Sequence, residues 1–151
     1  MKLDRRQVLG LTAGAAVLAV SGVRISPAAA AADETKKKIM EFTGGQEPAS
    51  GKIALKTPEI AENGNTVPVS VSVESAMSGD DLVQSVMILA DGNPRPDVAT
   101  FHFTELSGEA SATTRMRLAK TQNVIAVAKM KDGSVYSDTK QVKVTIGGCG
   151  G

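Results

Sequence analysis

Four valines, Val67, Val69, Val71 and Val73, alternate with Pro68, Ser70, Ser72 and Glu74. Successive side chains of a strand point to opposite faces, so this stretch buries one face and wets the other only as a β-strand. Pro68 cannot donate to a sheet ladder, which suits an edge or a strand start. The same period of two recurs along the chain. Lys52 to Thr57 makes a first strand, and Pro58 to Asn65 a connection with the turn signal Glu62-Asn63-Gly64-Asn65. Leu82 to Ala90 is more continuously apolar and reads as a central strand. Val98 to Phe103 points Phe101 and Phe103 one way and His102 the other. Ala112, Thr114, Met116 and Leu118 alternate with Thr113, Arg115 and Arg117. Asn123 to Met130 is a further strand. Asp132-Gly133 then suits the positive φ angles of a tight hairpin turn. The last strand reads as split around Ser137, resuming at Val142, Val144 and Ile146.

About seven short strands at regular spacing predict an all-β fold, an immunoglobulin-like antiparallel β-sandwich over residues 51–146. A small barrel is the structural alternative. One cysteine and no tryptophan exclude the Cys–Trp–Cys core of true immunoglobulin domains. Aromatics are 3% of the chain, so the core is built from aliphatic side chains and methionine. Residues 33–50 read as a short N-terminal helix, Asp33 to Phe42, followed by a loop that begins at Gly44-Gly45. Gly45 to Lys52 brushes against a phosphate-loop pattern. It has five residues between its glycines rather than four, and Ile53 stands where Ser or Thr would hold a metal, so it reads as an ordinary loop.

Residues 1–32 read as an address. Lys2, Arg5 and Arg6 precede an apolar run from about Val8 to Val23, and Pro27 with Ala28 to Ala32 supplies a small-residue cleavage region. The run is roughly 15 residues, short of the ~20 that span a bilayer, so no stable membrane anchor is expected. The pair Arg5-Arg6 before Gln7, Val8 and Leu9 resembles a twin-arginine export signal, with cleavage near Ala30 to Ala32. Residues 1–32 hold four basic residues and one acidic one, so their removal takes the net charge from +1 to −2. That balance gives no electrostatic case for nucleic acid.

Export changes how the terminus reads. Gly147, Gly148, Cys149, Gly150 and Gly151 close the chain, and Cys149 is its only cysteine. Residues 147–151 read as a flexible arm, because glycine loses most entropy on ordering and offers nothing to bury. Extended, the arm reaches roughly 17 Å. A lone exported cysteine suggests intermolecular pairing or a free reactive thiol. Catalytic cysteines owe a low pKa to a helix N-terminus, a cation or a metal, and none is local to Cys149. Its nearest cation in sequence is Lys143. Cys149 therefore reads as a thiol that other proteins act upon, and no catalytic residue is assigned.

The other candidates are weaker. His102 is the only histidine and has no cysteine nearby in sequence, so it makes neither a triad nor a metal site. Asp80-Asp81 reads as a solvated turn. Arg115 and Arg117 share an outward strand face, solvated or set against an acidic partner. Val98, Phe101 and Phe103 are core or interface residues. Two readings stand beside a thiol carrier: a periplasmic thiol oxidoreductase, and a structural module dimerised through its cysteine.

The terminal pentapeptide, the paired arginines and the sandwich pattern together resemble the SoxY family, sulfur carriers of the periplasmic Sox thiosulfate-oxidation system. Two further segments are similar to that family: Glu62-Asn-Gly-Asn-Thr-Val-Pro-Val-Ser-Val-Ser-Val73 and Asn93-Pro-Arg-Pro-Asp-Val-Ala-Thr-Phe-His-Phe103. The resemblance implies that Cys149 attaches sulfur intermediates covalently, starting with a cysteine S-thiosulfonate, and that the protein needs no cofactor. It implies a tight heterodimer with SoxZ. It also implies transient complexes with the haem protein SoxXA, the di-manganese hydrolase SoxB and, where present, the sulfane dehydrogenase SoxCD. Export of a folded chain would let SoxZ travel with it to the periplasm.

Overall fold

The computed structural model describes residues 27–148, so Arg5, Arg6, Cys149, Gly150 and Gly151 lie outside the described residues. Among the described residues one α-helix, α1 (Pro27–Thr43), precedes eight strands: β1 (Ile53–Lys56), β2 (Ile60–Asn63), β3 (Val67–Val73), β4 (Val83–Ala90), β5 (Asp97–His102), β6 (Ala110–Met116), β7 (Gln122–Met130) and β8 (Val135–Ile146). They form two sheets, a three-stranded one in the order β1-β3-β6 and a five-stranded one in the order β2-β8-β7-β4-β5. All pairs are antiparallel except β2–β8, which is parallel with Ala61 opposite Val144.

The valines of β3 are all buried, at 1–7% exposure, while Pro68, Ser72 and Glu74 are exposed. They share one core with Val86, Ile88, Val124, Ala126 and Ala128 from the other sheet. Each valine or isoleucine buried this way contributes about 1.5–3 kcal/mol. Pro68 is the second residue of the middle strand, yet it breaks no ladder. β1 ends opposite Ser70, so at Pro68 only β6 flanks the strand.

β4 explains its own apolar run. Val86, Ile88 and Ala90 face the sandwich core, whereas Met87 and Leu89 face outward beneath α1. There Ile39 and Phe42 of the helix pack against Met87, Leu89 and Val127, forming a second, smaller core. The helix ends where expected. The Gly45 N–H donates to Met40 O at 2.8 Å, and Gly44 and Gly45 take φ of 70° and 90°. This six-to-one bond with a left-handed glycine is the Schellman arrangement.

Three sequence readings are corrected. The helix starts at Pro27, six residues before Asp33, because proline suits the first helical position and the alanines assigned to a cleavage region are the best helix formers. The connection Pro58 to Asn65 contains the strand β2. It is four residues with one buried position, too short for a period to register, and it forms by pairing with a strand some 80 residues away, as in Ile60 with Lys143. The last strand is continuous through Ser137. Its alternation fades because it borders the other sheet, where the Asp138 carboxylate accepts the Leu55 N–H at 2.9 Å. The described residues hold eight strands, against about seven expected.

Candidate functional site: the root of the C-terminal arm

Strand β8 delivers the C-terminus to one end of the sandwich, where three backbone segments meet. The Gly64 N–H, just past β2, donates to Ile146 O at 2.8 Å. Gly64 O accepts the Leu118 N–H at 2.8 Å, and Leu118 O accepts the Gly148 N–H at 2.9 Å. The last bond closes a relay from the end of β8, through the turn after β2 and the turn after β6, back to the arm. The Leu118 side chain is fully buried, so the middle of this relay is pinned by the core.

The glycines here answer to space. A Cβ on Gly64 would collide with Leu118 O and lie 2.7 Å from Gly148 N and 3.0 Å from Val144 Cγ1. A Cβ on Gly148 would lie 2.7 Å from Gly64 O and 2.9 Å from its carbonyl carbon, and one on Gly147 would collide with Ala119 O. Gly148 is buried. At this site Gly147 and Gly148 supply close approach. They let backbone lie on backbone, and the first two residues of the arm are a seated root. Cys149 is the next residue after the seat.

Asn93 organises the neighbouring turns and is a residue that sequence reading missed. It is 3% exposed. Its Nδ2 donates to Arg117 O at 2.8 Å, while its Oδ1 accepts the Ala119 N–H at 3.0 Å and Gln122 Nε2 at 2.9 Å. One amide therefore fixes both sides of Leu118. Asn93 stands among Gly92, Pro94 and Pro96, residues typical of a turn, and nothing local signals a buried amide with three distant partners. Gly64 sat inside a turn signal that already accounted for it.

The other sequence candidates fall elsewhere or stay at the surface. His102 is exposed on the edge strand β5, opposite Ser85. Val98, Phe101 and Phe103 are half-buried and pack against the main core. Arg115 and Arg117 are exposed. Asp81 is more than a solvated turn residue. Its carboxylate accepts Lys52 Nζ at 2.7 Å and the Ala76 N–H at 2.7 Å. These bonds, Lys52 first, hold the Asp81 carboxyl below its ordinary range, and the same contact raises Lys52. Lys52 also lies 5.7 Å from the centre of the Tyr136 ring, so the lysine of the rejected phosphate-loop pattern is already engaged. Among the described residues no three His, Cys, Asp or Glu side chains are grouped to hold a metal, and no helix is long and apolar enough to cross a membrane.

The family model for the sulfur oxidation protein SoxY matches residues 39–149, so the match runs through the seat and reaches Cys149. The structure of the sulfur carrier protein SoxY from Chlorobium limicola f thiosulfatophilum is 33% identical, with a TM-score of 0.62, covering 76% of this chain and 99% of that one. A superoxide reductase (neelaredoxin) from Ignicoccus hospitalis superposes with a TM-score of 0.54 at 17% identity, covering 63% of this chain and 81% of that one. That likeness is of fold alone. No curated protein matches the chain in sequence. The family match across most of the chain and the identity to the Chlorobium protein agree, and the chain belongs to the SoxY family.

Proposed function

We propose that this chain is a covalent carrier of sulfur intermediates in thiosulfate oxidation, with Cys149 as the attachment point. The observation that carries the reading is the SoxY family match through residue 149, one residue past the seated Gly148. In the first step the Cys149 thiolate and thiosulfate lose two electrons to a haem protein of the SoxXA type, and a sulfur–sulfur bond forms to give the S-thiosulfonate. A SoxB-type di-manganese hydrolase then adds water, releases sulfate and two protons, and leaves a persulfide anion on Cys149. A SoxCD-type sulfane dehydrogenase, where present, oxidises the remaining sulfur.

The carrier supplies no activated nucleophile of its own in this scheme. It supplies delivery: a sandwich fixes the root, and Cys149 with Gly150 and Gly151 enters the partner's site. Glycines on both sides of the cysteine leave no Cβ to clash in a narrow channel. The heterodimer with SoxZ and export to the periplasm through Arg5-Arg6 belong to the same proposal. Intact mass spectrometry of the protein from its host tests the carrier reading. Thiosulfate should add mass to the C-terminal peptide, and Cys149→Ser should abolish the adduct while leaving fold and partner binding intact. A serine variant that still carried sulfur would refute it.

A further inference from the structure

The segment that seats the arm has a second side. Arg95, Arg115 and Arg117 line a cleft of about 260 Å³ together with Asn93 and Asp97. The cleft lies where the end of β6 meets the loop before β5 and the start of that strand. Asp97 is the one carboxylate on this wall, so its formal charge is +2. None of the three arginines pairs with a carboxylate among the described residues, where the ion pairs are Lys52–Asp81 and Lys140–Asp138. The chain without residues 1–32 is net negative, with four basic and one acidic residue removed from a net of +1. Three guanidinium groups around one cleft, against the single carboxylate of Asp97, are therefore a local reversal of sign.

The cleft and the arm share a wall. Arg117 precedes Leu118, whose carbonyl holds the Gly148 N–H at 2.9 Å. Asn93, itself on the cleft wall, is bonded to Arg117 O at 2.8 Å and to the Ala119 N–H at 3.0 Å. Residues 117–119 thus carry arginine charge on one side and the arm's root on the other. Cys149 begins one peptide beyond Gly148, a Cα step of about 3.8 Å.

We propose that Arg95, Arg115 and Arg117 form a docking cleft for the tetrahedral oxyanion end of a group borne on Cys149. The proposal rests on the carrier reading for its cargo and supplies what that reading lacks, a resting place on the carrier for an anionic adduct. Guanidinium forks match the paired oxygens of a sulfonate, as they do those of a carboxylate or phosphate. The arginines are exposed, so free oxyanions in solution bind weakly. A tether changes that, because a short flexible linker presents its end at an effective concentration on the order of millimolar. The cleft therefore favours the attached group over the same group in solution. A partner enzyme must outbid it to withdraw the cargo.

The test uses the protein purified from its host with any bound partner, and two probes of equal length and opposite charge. Cys149 is treated with 2-sulfonatoethyl methanethiosulfonate or with 2-(trimethylammonio)ethyl methanethiosulfonate. The thiolate attacks the sulfenyl sulfur, a disulfide forms and methanesulfinate leaves, so both adducts form whether or not thiosulfate is the natural cargo. The Nε–H signals of the three arginines are then read by NMR. The expected result is a shift of all three with the sulfonate and none with the ammonium, unchanged on tenfold dilution. Arg115→Gln with Arg117→Gln should remove the shift of Arg95. Identical arginine signals in the two adducts, or a shift that disappears on dilution, would overturn the proposal. The carrier reading fails separately, through the absence of a thiosulfate adduct on Cys149.

Discussion

Replacing Gly64 by alanine tests the seat of the arm most directly. The added Cβ would collide with Leu118 O and stand 2.7 Å from Gly148 N, closer than the 3.0 Å below which real Cβ atoms essentially never approach another atom. Both opposing atoms are backbone, and Leu118 is locked by a fully buried side chain. The turn must therefore move away, and three hydrogen bonds of 2.8, 2.8 and 2.9 Å are strained or lost together. At about 0.5–1.5 kcal/mol net for each bond, Gly64→Ala should cost roughly 1.5–4.5 kcal/mol. A domain with ~5–15 kcal/mol of stability still folds after that loss. In urea, at a mid-range slope of about 2 kcal/mol per molar, the midpoint should fall by roughly 1–2 M without a change of slope. Hydrogen exchange gives the local readout: the Gly148 amide should be protected in the native chain and lose that protection in Gly64→Ala. Gly79 is the control, since a Cβ there meets nothing within 4 Å and the cost comes only from its φ of +58°. Gly79→Ala should leave Gly148 protected. A Gly64→Ala variant as stable as the native chain, with Gly148 still protected, would refute the close-approach reasoning.

Asn93→Ala removes the partner of Arg117 O, the Ala119 N–H and Gln122 Nε2 at once, and the groups left unpaired should cost about 2–4 kcal/mol in urea unfolding. It should also raise exchange at Gly148, because the turn that holds Leu118 loosens. For Asp81 the folded carboxyl lies below its ordinary value of 3.8, so its contribution is complete above that value and disappears as pH falls through the folded one. The stability gap between the native chain and Asp81→Asn should therefore close on acidification below the ordinary carboxylate range, while Lys52 stays charged throughout. A gap that persisted or widened in acid would contradict the assignment.

Much of the fold was legible because burial in a sandwich is written at period two. The valines of β3 show it plainly, and each is buried. The unbroken apolar run of β4 marks a strand buried on both faces, and its second face lies beneath α1. Elements that depend on distant partners were not legible. β2 has a single buried residue and exists through its pairing with β8. The start of α1 was obscured because an alanine run serves equally as a helix and as a cleavage region.

The sequence by itself determined the strand pattern, the single thiol and its place two residues from the end of the chain. Tertiary structure decided what the glycines before that thiol are for. Read locally, Gly147 and Gly148 are two more flexible links, because composition records only the missing side chain. The fold brings Gly64 and Gly148 each within hydrogen-bonding distance of Leu118, from the turns after β2 and β6 and the segment after β8. At that approach the missing Cβ is needed for contact between backbones, a constraint that no single stretch of the sequence contains.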